Sequence, residues 1–161
     1  MKQLAIVFIT LLGLSLSGIA AASSFTFKAS ASGEQEVPPV MTETSGSVLI
    51  RFDRALRDVD YVLTIRRGVG ITQAHLHCGA AGANGPVVAC LFPLSAGGVD
   101  VNGRLAKGTL TNDGLTPGDC GGINVSNIAS LFAAMREGLI YLNVHSMANP
   151  GGEIRAQWYP K

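Results

Sequence analysis

The sequence predicts an all-β fold, a Greek-key antiparallel β-sandwich or barrel of about eight strands with one short helix. Two patterns predict it. Short segments in which polar and apolar residues alternate recur along the chain, as in strands that bury one face. Gly, Pro, Asn and Asp residues separate these segments at intervals of about 8–12 residues, a spacing typical of sandwiches and barrels.

The predicted strands follow one another between these turn residues. They span residues 25–31, 46–52, 61–66, 71–78, 87–92, 104–111, 139–146 and 154–159. In the second strand Val48, Ile50 and Phe52 share one face, and in the last strand Ile154 opposes Arg155. Each strand is therefore expected to bury one side only, as strands of antiparallel sheets do.

Residues 126–137 depart from the β pattern. Four apolar residues recur there at helical spacing: Ile128, Leu131, Phe132 and Met135. Ser126 is the expected N-cap, and Gly138 follows the predicted helix. The pattern predicts one short amphipathic helix whose apolar stripe covers an open end of the sheet core.

Residues 1–22 have the pattern of a secretory signal peptide. Lys2 precedes an apolar run, and three alanines end the segment, so cleavage is predicted after Ala22. A membrane anchor is the competing interpretation, but the run is short for a span and Thr10 interrupts it. Residues 23–161 are then expected to form a single domain, secreted or periplasmic, without a membrane span.

The charge of the chain argues against two classes of partner. Without Lys2, the 12 basic residues become eleven and match the 11 acidic residues. No stripe of lysine or arginine interrupts this balance, so neither nucleic acid nor an anionic membrane surface is an expected partner.

Three cysteines, Cys78, Cys90 and Cys120, would lie in a compartment where disulfides form. Their odd number leaves at least one without an internal partner. The expected disulfide joins Cys78 to Cys120, because each lies where a strand meets a glycine-rich loop. Cys90 lies inside an apolar run and is expected to be a small buried core residue.

All three histidines of the chain lie in predicted strands. His75 and His77 project from one face of their strand, and His145 lies in a later strand on the same face as Asn143. If the strands are neighbours, three imidazoles can bind one copper or zinc ion and leave a fourth position open. Asn143 would then orient one ligand histidine.

A second interpretation of the histidines stays open beside the metal site, and it is favoured. His75, His77, Asn143 and Gln73 can form a hydrogen-bonded polar network that joins the two strands without any metal.

Charged residues in two proline- and glycine-rich segments give a further pair of alternatives. Glu36 lies beside Pro38 and Pro39, and Glu153 lies beside Arg155. Such rigid loops usually hold geometry, so these charged side chains are expected to pair inside the fold. The other interpretation is that they form a ligand-binding edge.

Three motifs, in this order along the chain, resemble those of the CHRD domain, the module named after chordin. They are residues 33–40 (GEQEVPPV), residues 74–77 (AHLH) with 84–88 (NGPVV), and residues 141–145 (YLNVH) with 149–155 (NPGGEIR). The resemblance covers nearly all of residues 23–161. It implies a small extracellular β domain of unassigned activity, with no known catalysis.

A weaker likeness links the histidine pattern to the copper/zinc superoxide dismutase group. Its Greek-key sandwich binds copper through a His-x-His strand and a later histidine, and His75, His77 and His145 are the matching positions. That group also needs a bridging histidine and zinc ligands, and the chain has only 3 histidines. A binuclear dismutase site is therefore not expected.

The expected function is a non-catalytic binding or structural module with an extracytoplasmic protein or glycan as its partner. The sequence has no Gly-x-Ser-x-Gly and no His-Glu-x-x-His motif, so it does not predict a serine hydrolase or a standard zinc protease. The alternative function is a mononuclear copper or zinc protein, using His75, His77 and His145 for metal handling or redox chemistry.

Overall fold

Nine β-strands and one α-helix make up the computed structural model, which describes residues 24–159. The predicted signal peptide lies outside the described residues. The strands are β1 (Phe25–Ser32), β2 (Ser45–Phe52), β3 (Val59–Cys78), β4 (Val87–Phe92), β5 (Val99–Leu110), β6 (Gly118–Cys120), β7 (Ile123–Val125), β8 (Ile140–Ser146) and β9 (Ile154–Gln157). The helix, α1, spans Ile128–Arg136. The predicted all-β class with one short helix is confirmed.

Strand β3 is one continuous strand of 20 residues, whereas the sequence predicted two separate strands in this region. The turn signal around Gly68 does not end it, because β5 pairs with β3 on both sides of that residue, from Val59 to Ile71. The pairing register shifts before and after Gly68, and these shifts are β-bulges that accommodate the irregular backbone. The turn residues therefore bend the strand instead of breaking it.

The length of β3 lets the sheet close into a barrel. The first half of β3 pairs with β2 on one edge and with β5 on the other. Its second half pairs with β8 and β4. Strand β9 continues from β8 and meets β1 at Ser32 and Arg155, which closes the ring through β1, β2, β3, β8 and β9.

Two short strands, β6 and β7, form a hairpin that the sequence did not predict. A disulfide between Cys78 and Cys120, the pairing favoured from the sequence, joins the end of β3 to this hairpin. Three-residue strands carry too few residues to show an alternating pattern. The structure therefore has nine strands where about eight were expected: two predicted strands are merged in β3, and the hairpin adds two.

Helix α1 begins at a different cap from the one expected. Asn127, and not Ser126, is the N-cap: its side chain accepts a hydrogen bond from Ser130 N at 2.9 Å. The Ser130 hydroxyl accepts in return from the Asn127 backbone, which completes a capping box. As expected, the helix turns apolar residues toward the sheet: Ile128, Leu131, Ala134 and Met135 are buried.

Two sequence expectations about burial are wrong. Cys90 is exposed, because the strand alternation of β4 sends Ala89 and Leu91 into the core and Cys90 outward. Strands β8 and β9 are buried on both faces, not on one. One face of β8 packs in the apolar core, and the loops of the barrel cover its other, polar face.

Among the described residues, no helix is long and apolar enough to cross a membrane. Helix α1 has nine residues.

Candidate metal centre

The three histidines meet on the covered polar face of the barrel. The register of β3 and β8 places His75 opposite Asn143 and His145 opposite Gln73, so the rings of His75, His77 and His145 share one face. One nitrogen from each ring lies within 4.8 Å of one nitrogen from each of the other two. The closest pair is His75 Nδ1 and His145 Nε2, at 3.2 Å.

Two backbone carbonyls fix which nitrogen of two of these rings carries the proton. His77 Nδ1 lies 2.9 Å from the carbonyl oxygen of Gly85, and His145 Nδ1 lies 2.9 Å from that of Pro150. Because a carbonyl only accepts hydrogen bonds, each Nδ1 is the protonated donor. The lone pair of each ring is therefore on Nε2, the tautomer in which a histidine binds a metal through Nε2.

The Nε2 atom of His77 is buried, and no residue among 24–159 offers it a hydrogen bond. A buried polar atom without a partner is uncommon in a folded protein and costs about 1–3 kcal/mol. In a site with two more imidazole nitrogens within reach, this unsatisfied lone pair fits a metal ion.

Burial keeps the histidines neutral at physiological pH. Burial, together with the smaller effects of the neighbouring rings of His145 and His77, lowers the pKa of His75 to about 4. Burial also lowers the pKa values of His77 and His145, although their hydrogen bonds to Gly85 and Pro150 act in the opposite direction. Neutral imidazole is the form that binds metal ions.

The loop that follows β3, residues 79–86, presents the Gly85 carbonyl to His77. The Arg155 guanidinium holds this loop by donating hydrogen bonds to the carbonyls of Ala80 and Ala83, both at 3.0 Å. Gly85 N–H donates to the Tyr141 hydroxyl at 3.1 Å. Only glycine fits here, since a Cβ at position 85 would lie 2.0 Å from the Cys78 carbonyl oxygen.

The loop that follows β8 presents the Pro150 carbonyl to His145, and the Glu153 carboxylate holds this loop. The carboxylate accepts hydrogen bonds from Ser146, Asn149 and Thr42. Although burial acts to raise the pKa of Glu153, these hydrogen bonds hold it below its ordinary value. Glu153 is therefore ionised at neutral pH, and it bonds these polar side chains, not Arg155.

Arg155, Tyr141 and His77 form a stack beside the histidines. The Arg155 guanidinium lies 3.5 Å from the centroid of the Tyr141 ring, a cation–π contact, and the residue is only 1% exposed. The Tyr141 ring stacks on His77 with centroids 5.0 Å apart and planes 19° apart. This stack restricts the rotation of the His77 ring.

Among the described residues, the Asn143 side chain makes no hydrogen bond to a histidine. Its amide donates to both carboxyl oxygens of Glu36, at 3.0 and 3.1 Å. The orienting role expected of Asn143 belongs to the Gly85 and Pro150 carbonyls. Such groups leave no signal in a sequence, because every residue has a carbonyl.

Glu36 has no ion-pair partner within the described part of the chain. It is buried, and burial raises its pKa to about 7, against the lowering effects of Arg155 and Asn143. Pro38 and Pro39, by contrast, are exposed. Their segment is joined to the loop after β3 where Asn84 donates to the Val37 carbonyl at 2.7 Å.

The motifs that carry the resemblance thus build one site together. Residues 33–40 supply Glu36, residues 74–77 and 84–88 supply two histidines and the Gly85 carbonyl, and residues 141–155 supply His145 and its supports.

The CHRD domain family model matches residues 27–158. No curated protein and no solved structure matches the chain at a significant level. The chain belongs to the CHRD domain family.

Proposed function

We propose that this CHRD domain binds a single copper or zinc ion through His75, His77 and His145. The observation that supports this most strongly is the buried, unpartnered Nε2 of His77 in a cluster whose ring nitrogens lie within 4.8 Å of one another. Three imidazole ligands and an open fourth position suit either ion.

The competing interpretation, a hydrogen-bonded network without metal, explains only part of the geometry. It accounts for His75 and His145, since one nitrogen of each ring lies 3.2 Å from the other. Two buried atoms of the network have no partner among the described residues, His77 Nε2 and Asn143 Oδ1, and a metal ion bound by the three rings accounts for the first of them. Buried polar groups in a purely structural network are normally all paired, so the metal site explains more of what is observed.

The surrounding residues would hold and orient the ligands. The carbonyls of Gly85 and Pro150 keep His77 and His145 in one tautomer, and Glu153 keeps Pro150 in place. Bound there, zinc would supply a Lewis acid and copper a one-electron redox centre. Metal handling needs only the binding, and it is the role that we propose first.

We further propose that the mature protein, residues 23–161, is secreted or periplasmic. The pattern of residues 1–22 supports this, as do the family's extracellular-type module and the disulfide between Cys78 and Cys120. A second role, as a module that binds an extracytoplasmic protein or glycan, is compatible with metal binding and is supported by family membership.

Elemental analysis of the tag-free mature protein tests the metal proposal. We expect close to one equivalent of copper or zinc after reconstitution, and its loss in the His75→Ala/His77→Ala variant. Gln73→Ala is the matched control, because Gln73 lies on the same strand face and pairs with His145 but is outside the cluster. No uptake by the folded parent in titrations with either ion would overturn the proposal.

A further inference from the structure

Strand β1 has one paired edge and one edge that is mostly open. All eight of its residues pair with β2, but β9 meets β1 only at Ser32 and Arg155. The side chain of Gln35 bridges the two strands where they separate. It donates to the Ser30 carbonyl at 2.8 Å and accepts from Gln157 N–H at 3.1 Å.

The open edge offers hydrogen-bonding groups in a regular row. Alternate residues of a strand direct their backbone N–H and C=O groups to the same side. The Ser30 carbonyl points to the open side, where Gln35 meets it, so Thr26 and Lys28 direct their backbone groups there too. Nothing in residues 24–159 pairs with these two residues on that side. Such an edge is a template for another strand.

An apolar cleft lies beside this edge. It has a volume of about 1120 Å³ and is lined by residues of β1, of α1 and of the chain that follows β9. Its aromatic and large apolar lining consists of Phe25, Phe27, Phe132, Met135, Trp158 and Tyr159. Phe25 is 43% exposed and Tyr159 is 66% exposed, so part of this aromatic lining faces solvent.

One residue of the cleft lining has a buried hydrogen-bond donor without a partner in the described part of the chain. Trp158 lines the cleft and is only 4% exposed, and its Nε1–H has no acceptor among the described residues. A buried indole N–H normally has a hydrogen-bond partner. We refer to the open edge of β1 together with this lining as the β1 cleft.

The charged residues of the β1 cleft are both basic. Lys28 and Arg136 line it and are exposed, and its lining includes no acidic side chain. A segment that carries carboxylates is therefore electrostatically complementary to it. A second copy of the chain is a poorer fit, because antiparallel pairing of two β1 edges would bring their Lys28 residues together.

We propose that the β1 cleft binds an extended segment of a partner protein, rich in acidic and apolar residues, as an added β-strand. The backbone groups of Thr26 and Lys28 would pair with the segment, and the aromatic lining would hold its alternate apolar side chains. The cleft shares no residue with the histidine cluster, so this inference stands independently of metal binding.

A peptide titration tests the proposal on the mature protein. The probe is acetyl-EVEFEVE-amide, about as long as a typical strand. We expect saturable binding that changes the fluorescence of Trp158, the only tryptophan of the chain. Methylating the peptide's amide nitrogens at alternate positions should abolish binding for one set of positions and spare it for the other, since only one set faces β1.

Charge reversal provides the matched variants. Lys28→Glu/Arg136→Glu should weaken binding about tenfold or more, whereas Arg104→Glu/Lys107→Glu, an equal charge change on exposed residues of β5, should leave it unchanged. Circular dichroism checks that each variant is folded. The peptide acetyl-KVKFKVK-amide should not bind.

Three results would overturn the proposal. The first is no binding of the acidic peptide at millimolar concentration. The second is equal binding of the basic peptide or of both methylated peptides, which would indicate a nonspecific apolar contact. The third is a dimer in sedimentation experiments that Lys28→Glu alters, which would assign the cleft to a second copy.

Discussion

His75 Nδ1 lies 3.2 Å from His145 Nε2, although 70 residues separate the two histidines in the chain. The contact follows from the pairing of β3 with β8, which places both side chains on the polar face of the barrel. Backbone carbonyls orient His77 and His145 beside it. This arrangement brings the three rings of the proposed metal site together.

Metal binding should raise the stability of the parent protein. A ligand that binds only the folded state stabilises it by about 2.7 kcal/mol when its free concentration is 100 times its Kd. We expect a higher Tm with zinc than with a chelator, measured by calorimetry. The His75→Ala/His77→Ala variant should show the same Tm in both conditions, and an equal rise in that variant would mean that the ion binds elsewhere.

Replacing Glu153 should loosen the loop that orients His145. In Glu153→Gln, an NH2 group that donates hydrogen bonds replaces either the oxygen that accepts from Ser146 and Asn149 or the oxygen that accepts from Thr42. We expect a loss of about 2–3 kcal/mol in the free energy of unfolding. Metal affinity should fall about 10-fold to 100-fold, as when other supports of metal ligands are removed.

The exposed Glu137 is the control for this substitution. Glu137→Gln should change neither urea unfolding nor a competition assay with a metal chelator. If Glu153→Gln lowers stability but leaves metal affinity intact, Glu153 supports the fold only and does not position the ligand.

Glu36 should make folding stability depend on pH. Its pKa is about 7 in the folded protein, because burial outweighs the effect of Arg155, and its ordinary value is 4.5. The folded state therefore keeps the proton longer than the unfolded state. Glu36 disfavours folding progressively as pH rises from about 4.5 to about 7, by at most about 3 kcal/mol.

Glu36→Gln should remove this contribution. Urea unfolding of parent and variant, with a chelator present, should show the parent losing stability relative to the variant across that pH range. Because the histidines titrate in both proteins, their contribution to the pH dependence cancels in this comparison. A difference that stays constant with pH would show that folding does not raise the pKa of this carboxyl.

The disulfide and the remaining thiol should differ in their effect on stability. Cys78 and Cys120 are 42 residues apart in sequence, and closing such a loop stabilises the folded state by about 4 kcal/mol. Cys78→Ala/Cys120→Ala should lose an amount of that order in denaturant unfolding. Cys90→Ala, at an exposed position, should change stability by less than about 0.5 kcal/mol.

Much of the fold was predictable because strand and helix patterns are local. Alternation identified most strands, and the apolar spacing of α1 identified the helix. The continuity of β3 was not predictable, because Gly68 is a turn signal that only the pairing with β5 overrides. The outward direction of Cys90 was also missed, since an apolar run does not show which of its residues face the core.

The sequence by itself determined the class of the fold, the family and the three histidines, because these depend on the order and spacing of side chains. The tertiary structure alone decided what surrounds the histidines. The Gly85 and Pro150 carbonyls, the stack of Arg155 on Tyr141 and the open edge of β1 all depend on which segments come together. Backbone groups are identical at every position, so only the folded chain shows which of them meets a ring, a loop or nothing.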